Sequence, residues 1–350
     1  MTTTEQQPLT SVPRPDMIFE VMMGFMASKH LFVANEIGLF TALAGGPTTL
    51  ERLADKVGVP PRTLRIVADA MVALGFLERE NAAYRNGATA EAFLSGNSSM
   101  NLGPALRFMN AIAYPLWEGF ERAVRTDAPA RGELAAERQK IFSAGVEALT
   151  AGPARVLANS YDFSHHRRLL DLAGGTGSFL VAILSVHPGL EGTLFELPHV
   201  AELASANLAA SPIASRASVT TGNVLEDGLP AGHDVVLLAN IVHYFSPEQN
   251  VEVLGRVRSA VEPGARLLLV DFWTDPTHTR PLSAALMAGE FLVNVGGDVY
   301  SAEEAHAWLT QTGWRAVEKL PLAGAQSVIV ADAVQANTVK HAPPTKSRRS

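Results

Sequence analysis

Short apolar runs alternate with amphipathic stretches over residues 168–333. The apolar runs predict strands at 169–173, 192–197, 218–222, 234–240, 266–272, 314–320 and 326–332. The amphipathic stretches predict helices at 178–186, 199–210, 247–261 and 301–312. This alternation is typical of an α/β fold in which helices cover both faces of a mostly parallel sheet. Only a short turn at 321–325 separates the last two runs, so we expect them to pair as an antiparallel hairpin.

Residues 17–43 are predicted to form one or two helices that are apolar on more than one face. Such helices are usually buried, either in their own domain or against another subunit. We interpret this segment as a subunit interface, because it is long and lies near a terminus. Polar and charged residues interrupt the apolar run, so it is not predicted to span a membrane; they are Glu20, Lys29, His30 and Glu36.

Residues 48–86 have the pattern of two helices followed by a small β-hairpin. The first helix is predicted at 50–57, the second begins after Pro60, and two short strands flank Asn81. This is the form of a winged helix, in which Arg62 and Arg65 are candidates to contact DNA phosphates. The alternative is a structural or dimerising module. The acidic chain, with few basic residues in this segment, favours that alternative.

Composition limits the class of protein. The chain has 350 residues, of which 47% are hydrophobic and 18% charged, as expected for a globular protein of two domains. Its net charge of -7 gives no general attraction to nucleic acid or anionic membranes. Cysteine is absent, which excludes disulfide bonds and thiolate metal ligands, and residues 1–16 lack a signal-peptide pattern. We therefore expect a cytoplasmic protein.

These patterns predict four segments. Residues 1–16 form a loose arm, 17–160 a mainly helical domain, 161–333 the α/β domain and 334–350 a disordered tail. Residues 87–160 are mostly helical and carry many aromatic and methionine side chains. Such a stripe is more often plain core than the wall of a ligand pocket.

A glycine turn follows the first strand of the α/β domain, in the sequence Asp171-Leu-Ala-Gly174-Gly175-Thr-Gly177. Glycines at the first βα turn of a doubly wound sheet let the backbone approach a nucleotide-type ligand, with Asp171 at the strand end. Leu180 stands where a dinucleotide-binding turn has its last glycine. This difference favours S-adenosylmethionine, which has no pyrophosphate, over NAD.

Glu196 ends the next predicted strand, about 20 residues after the glycine turn. A carboxylate at that place can accept hydrogen bonds from ribose hydroxyls. The glycine turn alone is a weak signal, and the pair of motifs is equally compatible with an adenosine-binding site and with a structural turn. We interpret the pair as an adenosine-binding site at this edge of the sheet.

Polar side chains also follow the other strands, with Asn223, Asn240, His243 and Asp271 at or just beyond strand ends. Ligands of open α/β sheets lie at this edge. A histidine there can take up a proton near neutral pH, and Asp271 can hold its ring by accepting the other N–H. The alternatives are a structural histidine and an acid that caps the next turn. The histidines show no HxxxH or HExxH spacing, so no metal site is predicted.

In combination, these motifs resemble the caffeic-acid-type, or family 2, small-molecule O-methyltransferases that use S-adenosylmethionine. The resemblance covers about residues 17–333 and rests on the glycine turn, the 195–200 segment, the His243 segment and Gly296-Gly297. It implies a Rossmann-like class I methyltransferase domain behind an N-terminal winged-helix-like dimerisation domain. It also implies an intertwined homodimer.

The resemblance assigns roles by position. His243 matches the general base, and Asp271 matches an acid that flanks it. Glu196 matches the acid that binds ribose. The cofactor-binding positions are Asp171, Gly174, Gly175, Gly177, Glu196, Leu197, Asn223, Val224 and Asn240. The positions on or beside the acceptor pocket are Met109, Asn110, Phe142, Val146, Phe291 and Asn294.

Three positions depart from the family pattern. Tyr244-Phe245 replaces Asp-Trp after the histidine, Ala239 replaces a lysine, and the second flanking acid falls on Val299, beside Asp298. The expected reaction is methylation of a hydroxyl on a small, aromatic, natural-product-type acceptor. C- or N-methylation, or a non-methylating role on the same fold, is the first alternative. A DNA-binding regulator acting through residues 48–86 is the second.

Overall fold

The computed structural model describes residues 14–98, 100–132 and 134–335. Most of the predicted arm and tail, at residues 1–16 and 334–350, lies outside the described residues. The chain divides into two compact units, Met1–Asn110 and Ala111–Ser350.

The first unit consists of helices and a small sheet. Its helices are α1 (Asp16–Glu36), α2 (Leu39–Leu43), α3 (Leu50–Val57), α4 (Pro61–Ala73), α5 (Ala88–Phe93) and α6 (Gly103–Phe108), and its strands are β1 (Thr48–Thr49), β2 (Leu77–Glu80) and β3 (Ala83–Asn86). The strands form an antiparallel sheet in the order β1-β3-β2. Asn81 and Ala82 both have positive φ, which closes the two-residue β2–β3 hairpin. The two helices and the hairpin predicted over residues 48–86 are therefore present.

Asp69 on α4 ties this helix to the hairpin. Its carboxylate accepts a hydrogen bond from the Tyr84 hydroxyl at 2.6 Å and pairs with Arg65 and Arg79, each at 3.1 Å. Hydrogen bonding from Tyr84 is the main reason why the pKa of Asp69 lies below its usual value. Arg65, a candidate for phosphate contact, is thus engaged in a contact within its own unit.

Helix α1 exposes a long apolar surface. Only Ala34 is fully buried, whereas Val21 is 77% exposed and Phe25 52% exposed. Helix α1 is long and apolar enough to cross a membrane, by length and composition only. This differs from the expectation drawn from its charged residues, which was that the segment does not span a membrane. A helix covered by a second subunit has the same composition.

The second unit contains a sheet with helices on both faces. Its strands are β4 (Arg168–Leu172), β5 (Glu191–Glu196), β6 (Ala217–Thr221), β7 (Val235–Ala239), β8 (Arg266–Asp271), β9 (Trp314–Pro321) and β10 (Ser327–Ala333). Its helices are α7 (Tyr114–Leu116), α8 (Phe120–Thr126), α9 (Ala136–Ser160), α10 (Ser178–Val186), α11 (Pro198–Ala209), α12 (Pro247–Ala260), α13 (Leu282–Val295) and α14 (Ala302–Gln311).

The strand order of this sheet is β6-β5-β4-β7-β8-β10-β9. The strands from β6 to β8 are parallel, and β10 is antiparallel to both β8 and β9. Alternate residues of the central strands enter separate cores, with Val236 and Leu267 on one face and Val235 and Leu268 on the other. The predicted α/β fold and its final hairpin are confirmed. Burial on both faces explains why these strands are continuous apolar runs.

Two features differ from the sequence-based expectations. No element was predicted between 273 and 300, yet α13 occupies half of this stretch. Along the chain, the boundary between the two units lies between Asn110 and Ala111, whereas the predicted domain boundary lay near residue 160. The reason is that Leu157 of α9 packs in the same core as Ile183 of α10, so α9 belongs to the α/β unit.

Candidate active site

The turn between β4 and α10 curves tightly around Asp171. Ala173, Gly175 and Gly177 all have positive φ, which favours glycine and strains alanine. A Cβ on Gly174 would lie 2.5 Å from the Asp171 carboxyl group, so a side chain is excluded there. A Cβ on Gly175 would meet nothing within 4 Å, and its backbone borders open space. A ligand can therefore approach the turn closely at Gly175.

Glu196 is held against this turn. Strands β4 and β5 are parallel, and Leu172 pairs with Phe195, so Glu196 follows at the same edge. Its Oε2 accepts the N–H of Gly175 at 2.9 Å and its Oε1 accepts the N–H of Leu197 at 2.8 Å. Each carboxylate oxygen has a second lone pair, so the group can also accept hydrogen bonds from two vicinal hydroxyls.

Asp171 differs from Glu196 although the two acids end neighbouring strands. Its side chain is fully buried, and neither oxygen has a hydrogen-bond partner among the described residues. Burial, followed by the nearby charge of Glu196, raises the pKa of Asp171 to about 7. A positively charged ligand, or a ligand N–H or O–H group, at this edge would lower the free-energy cost of burying the ionised carboxylate.

The remaining predicted cofactor-binding positions lie at the ends of β6 and β7. Asn223 Oδ1 accepts the N–H of Leu225 at 3.0 Å, and Val224 is buried in the core beside it. Asn240 has a φ of +57° and accepts a hydrogen bond from the Gln326 side chain. Gln326 was not predicted as a site residue, because only the pairing of β10 with β8 brings it to this edge.

These residues fit an adenosyl ligand. Glu196 supplies hydroxyl-binding oxygens, the turn at Gly174 and Gly175 supplies an approachable backbone, and Leu197 offers an apolar side chain that is 38% exposed. An adenosyl ligand without a pyrophosphate needs neither a further glycine nor a cation at this turn. The structure thus brings together the predicted residues of the glycine turn and Glu196.

His243 and Asp271 form a buried hydrogen-bonded pair. His243 lies in the 3₁₀ turn Val242–Tyr244 after β7, and Asp271 ends β8, which is parallel to β7. His243 Nδ1 lies 2.8 Å and 3.0 Å from the two carboxylate oxygens of Asp271. This contact assigns the proton of the neutral ring to Nδ1. Nε2, on the opposite side of the ring, then carries a lone pair that can accept a proton.

Two contacts fix the His243 ring and its backbone. Phe291 of α13 stacks on the imidazole, with ring centroids 3.6 Å apart and an interplanar angle of 4°. The His243 carbonyl accepts the N–H of Asp298 at 3.1 Å, and a Cβ on Gly297 would lie 1.8 Å from that carbonyl oxygen. Glycine is therefore required at 297 for the chain to pass His243 at this distance.

The turn that carries His243 is also supported from the side. Asn250 Nδ2 donates to the carbonyl of Val242 at 3.1 Å, and the Tyr300 hydroxyl donates to the carbonyl of Phe245 at 2.6 Å. Neither Asn250 nor Tyr300 was singled out from the sequence. A lone polar residue on a helix and a tyrosine in a loop give no pattern that indicates such contacts.

The predicted acceptor-pocket positions have different surroundings. Phe291 contacts His243 directly, and Asn294 is buried one helical turn further along α13. Phe142 and Val146 lie on α9, where the Arg131 guanidinium covers the Phe142 ring at 5.1 Å. Their role in the pocket stays a prediction.

The same applies to Met109 and Asn110, which end the first unit. Asn110 Oδ1 accepts a hydrogen bond from Lys29 at 2.7 Å.

Position 299, where the family pattern has the second flanking acid, holds a valine. Val299 is buried, and the exposed Asp298 accepts its own neighbour's N–H at 2.7 Å. A different acid, Glu290, lies buried next to Phe291 on α13. The spacing between Glu290 and Asn294 would have indicated that both lie on one face of a helix, but α13 itself was not predicted.

No group of three or more potential metal ligands among His, Cys, Asp and Glu is found in the part of the chain that the structure describes. The pair formed by His243 and Asp271 therefore lacks a third ligand of this kind there.

Two protein-family models match the chain. The model of an O-methyltransferase domain matches residues 120–315, and the model of an O-methyltransferase dimerisation domain matches residues 19–96. Among curated proteins, the chain is similar to 3-hydroxy-5-methyl-1-naphthoate 3-O-methyltransferase of Streptomyces sahachiroi, with 32% identity over 90% of this chain and 94% of that protein. It is also similar to the N,N-dimethyltransferase OxyT of Streptomyces rimosus, with 28% identity over 90% of this chain and 94% of OxyT.

Among solved structures, the chain is similar to PigF with SAH, with 26% identity and a TM-score of 0.77. The match covers 92% of this chain and all of that one.

Substitution of Gly297 by alanine is expected to destabilise the protein by about 1–3 kcal/mol, because the new methyl group would overlap the His243 carbonyl. Urea denaturation measures the change. Gly228→Ala is the matched control, since a Cβ there meets nothing within 4 Å and its φ is not positive. A Gly297→Ala protein as stable as the wild type would contradict the close packing described here.

Substitution of Asp171 by asparagine is expected to change how stability depends on pH. The folded-state pKa is raised from 3.8 to about 7, so the folded protein binds this proton more tightly than the unfolded chain. The contribution of Asp171 to stability is therefore present at low pH and is lost as the pH rises through about 7. The variant should lack this loss in unfolding titrations of the ligand-free protein.

Glu202→Gln, at an exposed acid of α11, is the control for the Asp171 experiment and should follow the wild type. Parallel pH profiles for wild type and Asp171→Asn would show that the buried carboxyl does not titrate in this way.

Proposed function

Since this chain belongs to the S-adenosylmethionine-dependent O-methyltransferases, we propose that it methylates a hydroxyl group of a small aromatic acceptor with His243 as the general base. The observation that carries the proposal is the buried hydrogen bond between His243 and Asp271. It stands at the same sheet edge as the glycine turn and Glu196.

S-adenosylmethionine supplies an electrophilic methyl group on a positively charged sulfur. In this chain, Glu196 would bind the ribose hydroxyls and the backbone at Gly174 and Gly175 would pack against the ligand. Leu197 would contact the adenine, and Asn223 would accept a hydrogen bond from its amino group through the remaining lone pair of Oδ1. The acids at this edge favour a cationic ligand.

His243 performs the proton transfer. With Nδ1–H held by Asp271, Nε2 takes the proton of the acceptor hydroxyl and so makes that oxygen a nucleophile. Asp271 stabilises the resulting imidazolium, as the orienting carboxylate of a catalytic triad does. Phe291 and the turn at Gly297 keep the ring in one orientation, so little reorganisation accompanies the transfer.

An aromatic acceptor is supported by the surroundings of the base and by the relatives. Phe291, stacked on His243, gives the site an apolar wall, and Phe142 and Val146 are proposed to extend it. The naphthoate 3-O-methyltransferase named above acts on an aromatic hydroxyl compound. We propose a natural-product acceptor of this general kind, and a cytoplasmic location for the reaction.

N-methylation is the second candidate reaction. The similarity to the N,N-dimethyltransferase OxyT supports it, as does the replacement of the usual Asp-Trp by Tyr244-Phe245. A neutral amine attacks the methyl group through its nitrogen lone pair, so a base is needed only to remove a proton from the methylated ammonium product. Product analysis by NMR with isotopically labelled methyl donor separates the two, because an O-methyl ether and an N-methyl group have different chemical shifts.

The dimerisation-domain match supports homodimer formation. We propose that the exposed apolar surface of α1 lies in the dimer interface and not in a membrane, and that the two helices and hairpin of residues 48–86 form a winged-helix-like module of this domain. The pairing of Arg65 and Arg79 with Asp69 favours this structural role over DNA binding.

Substitution of His243 by glutamine is expected to lower kcat by about 10²–10⁴-fold, because glutamine cannot take up the proton. Affinity for S-adenosylhomocysteine, measured by calorimetry, should change little, since His243 is not among the cofactor-binding residues. Asp271→Asn should also lower kcat, by a smaller factor, and shift the pH–rate profile. A His243→Gln enzyme that turns over the acceptor at the wild-type rate would exclude His243 as the base.

Charged residues on α1 are expected to weaken the dimer. The double substitution Val21→Glu and Phe25→Glu would place two carboxylates in an interface that excludes water. Sedimentation equilibrium should show monomers at concentrations where the wild type is dimeric. Leu203→Glu, at an exposed apolar residue of α11, is the control and should remain dimeric. Wild-type protein that is monomeric in solution and binds lipid vesicles would support the membrane alternative instead.

A further inference from the structure

Helix α13 presents two polar side chains beside the residue that stacks on the base. Successive residues of an α-helix are about 100° apart, so Glu290, Phe291 and Asn294 lie on one face of α13, with Asn294 between the other two. Phe291 is in contact with the His243 ring. Glu290 and Asn294 are therefore close to the place where the acceptor must meet His243.

One carboxyl oxygen of Glu290 has a structural partner. Oε2 accepts the indole N–H of Trp117 at 2.6 Å. The Trp117 ring is held by Phe120, with centroids 4.7 Å apart, and by Gly289, where a Cβ would lie 2.9 Å from the ring. The contact fixes the orientation of the carboxyl group.

The other acceptor atoms of this face have no such partner. Glu290 is 8% exposed and Asn294 is 9% exposed. Glu290 Oε1 and Asn294 Oδ1 are both buried without a hydrogen bond among the described residues. Buried acceptors without donors are costly and uncommon in folded proteins. A role of Glu290 as an anchor for Trp117 explains Oε2 and leaves Oε1 and Asn294 Oδ1 unexplained.

The charge of Glu290 is consistent with a missing donor. Burial raises the pKa of Glu290, and the hydrogen bond from the Trp117 indole only partly opposes this effect. A further donor placed against Oε1 would stabilise the ionised form. The chemistry that satisfies two neighbouring acceptor oxygens is an O–H or N–H group.

We propose that Glu290, assisted by Asn294, is a specificity-determining residue that binds a second hydroxyl or N–H group of the aromatic acceptor, distinct from the hydroxyl that is methylated. The inference rests on the proposed function and narrows its substrate class to aromatic compounds with at least two hydrogen-bond donors. Glu290 takes no part in proton transfer. It holds the acceptor so that the other hydroxyl faces His243.

The test compares acceptors that differ only in the second donor. Naphthol is the reference, the dihydroxynaphthalene isomers supply a second hydroxyl in different geometries, and hydroxynaphthaldehydes supply a carbonyl instead. Binding to the S-adenosylhomocysteine complex is measured by calorimetry, and kcat/KM by transfer of labelled methyl. At least one diol should bind the wild type more tightly than naphthol does, by roughly 10-fold or more, as expected for a hydrogen bond to a charged group.

The variant Glu290→Gln separates recognition from structure. Glutamine can still accept from Trp117 with its one oxygen, but it then presents an NH₂ group to the acceptor. Affinity for the preferred diol should fall roughly 10- to 100-fold, affinity for naphthol should stay within a few-fold, and the hydroxynaphthaldehydes should gain. Glu303→Gln, at an exposed acid of α14, is the control and should leave all three unchanged.

Trp117→Phe removes the indole donor and keeps Glu290, so a purely structural role predicts the same loss for every acceptor. If Glu290→Gln weakens naphthol and the diols by the same factor, or weakens neither, the proposal is wrong. If no diol binds more tightly than naphthol to the wild type, it is also wrong. These outcomes are binding measurements, whereas failure of the proposed function appears as absence of methyl transfer from the wild type to any hydroxyl.

Discussion

The arrangement of the site depends on the buried hydrogen bond between His243 Nδ1 and Asp271. It requires β7 and β8 to be neighbours in parallel register, because one residue follows β7 and the other ends β8. The contact decides which ring nitrogen carries the proton and which one can accept another. Phe291 and Gly297 then restrict the ring and its backbone from two further directions. An imidazole held in this way needs little rearrangement if it takes up a proton, as proposed for His243.

On the proposed cofactor side of the same edge, the two strand-end acids differ in their hydrogen bonding. Glu196 is satisfied by two backbone N–H groups, whereas Asp171, at the next strand end, is buried without a partner and has a raised pKa. The turn around Asp171 is possible only because Gly174 has no side chain. An edge that holds two acids close together is suited to a cationic ligand, and the sulfonium of S-adenosylmethionine is one. The proposed cofactor site and the His243–Asp271 pair thus lie at the same sheet edge but depend on separate contacts.

Helix α13 contacts His243 and also carries the residues proposed to bind the acceptor. It provides the ring that stacks on His243, and its C-terminal Gly296 begins the segment in which Gly297 passes the His243 carbonyl. Glu290 and Asn294 lie on its buried face. Any change that tilts this helix would therefore move Phe291, Glu290 and Asn294 together relative to His243.

The sequence by itself determined the parts of the protein that depend on local patterns. Apolar runs identified the strands of the α/β sheet, the glycine turn and Glu196 predicted an adenosyl site, and the strand-end position of His243 indicated a candidate base. Only the tertiary structure decided the contacts that join distant segments: Glu290 with Trp117, Gln326 with Asn240, and Gly297 with His243. The tertiary structure also shows that α9 belongs to the α/β unit. The reason is that periodicity records which face of an element is buried, whereas the identity of the partner depends on strand order and helix packing.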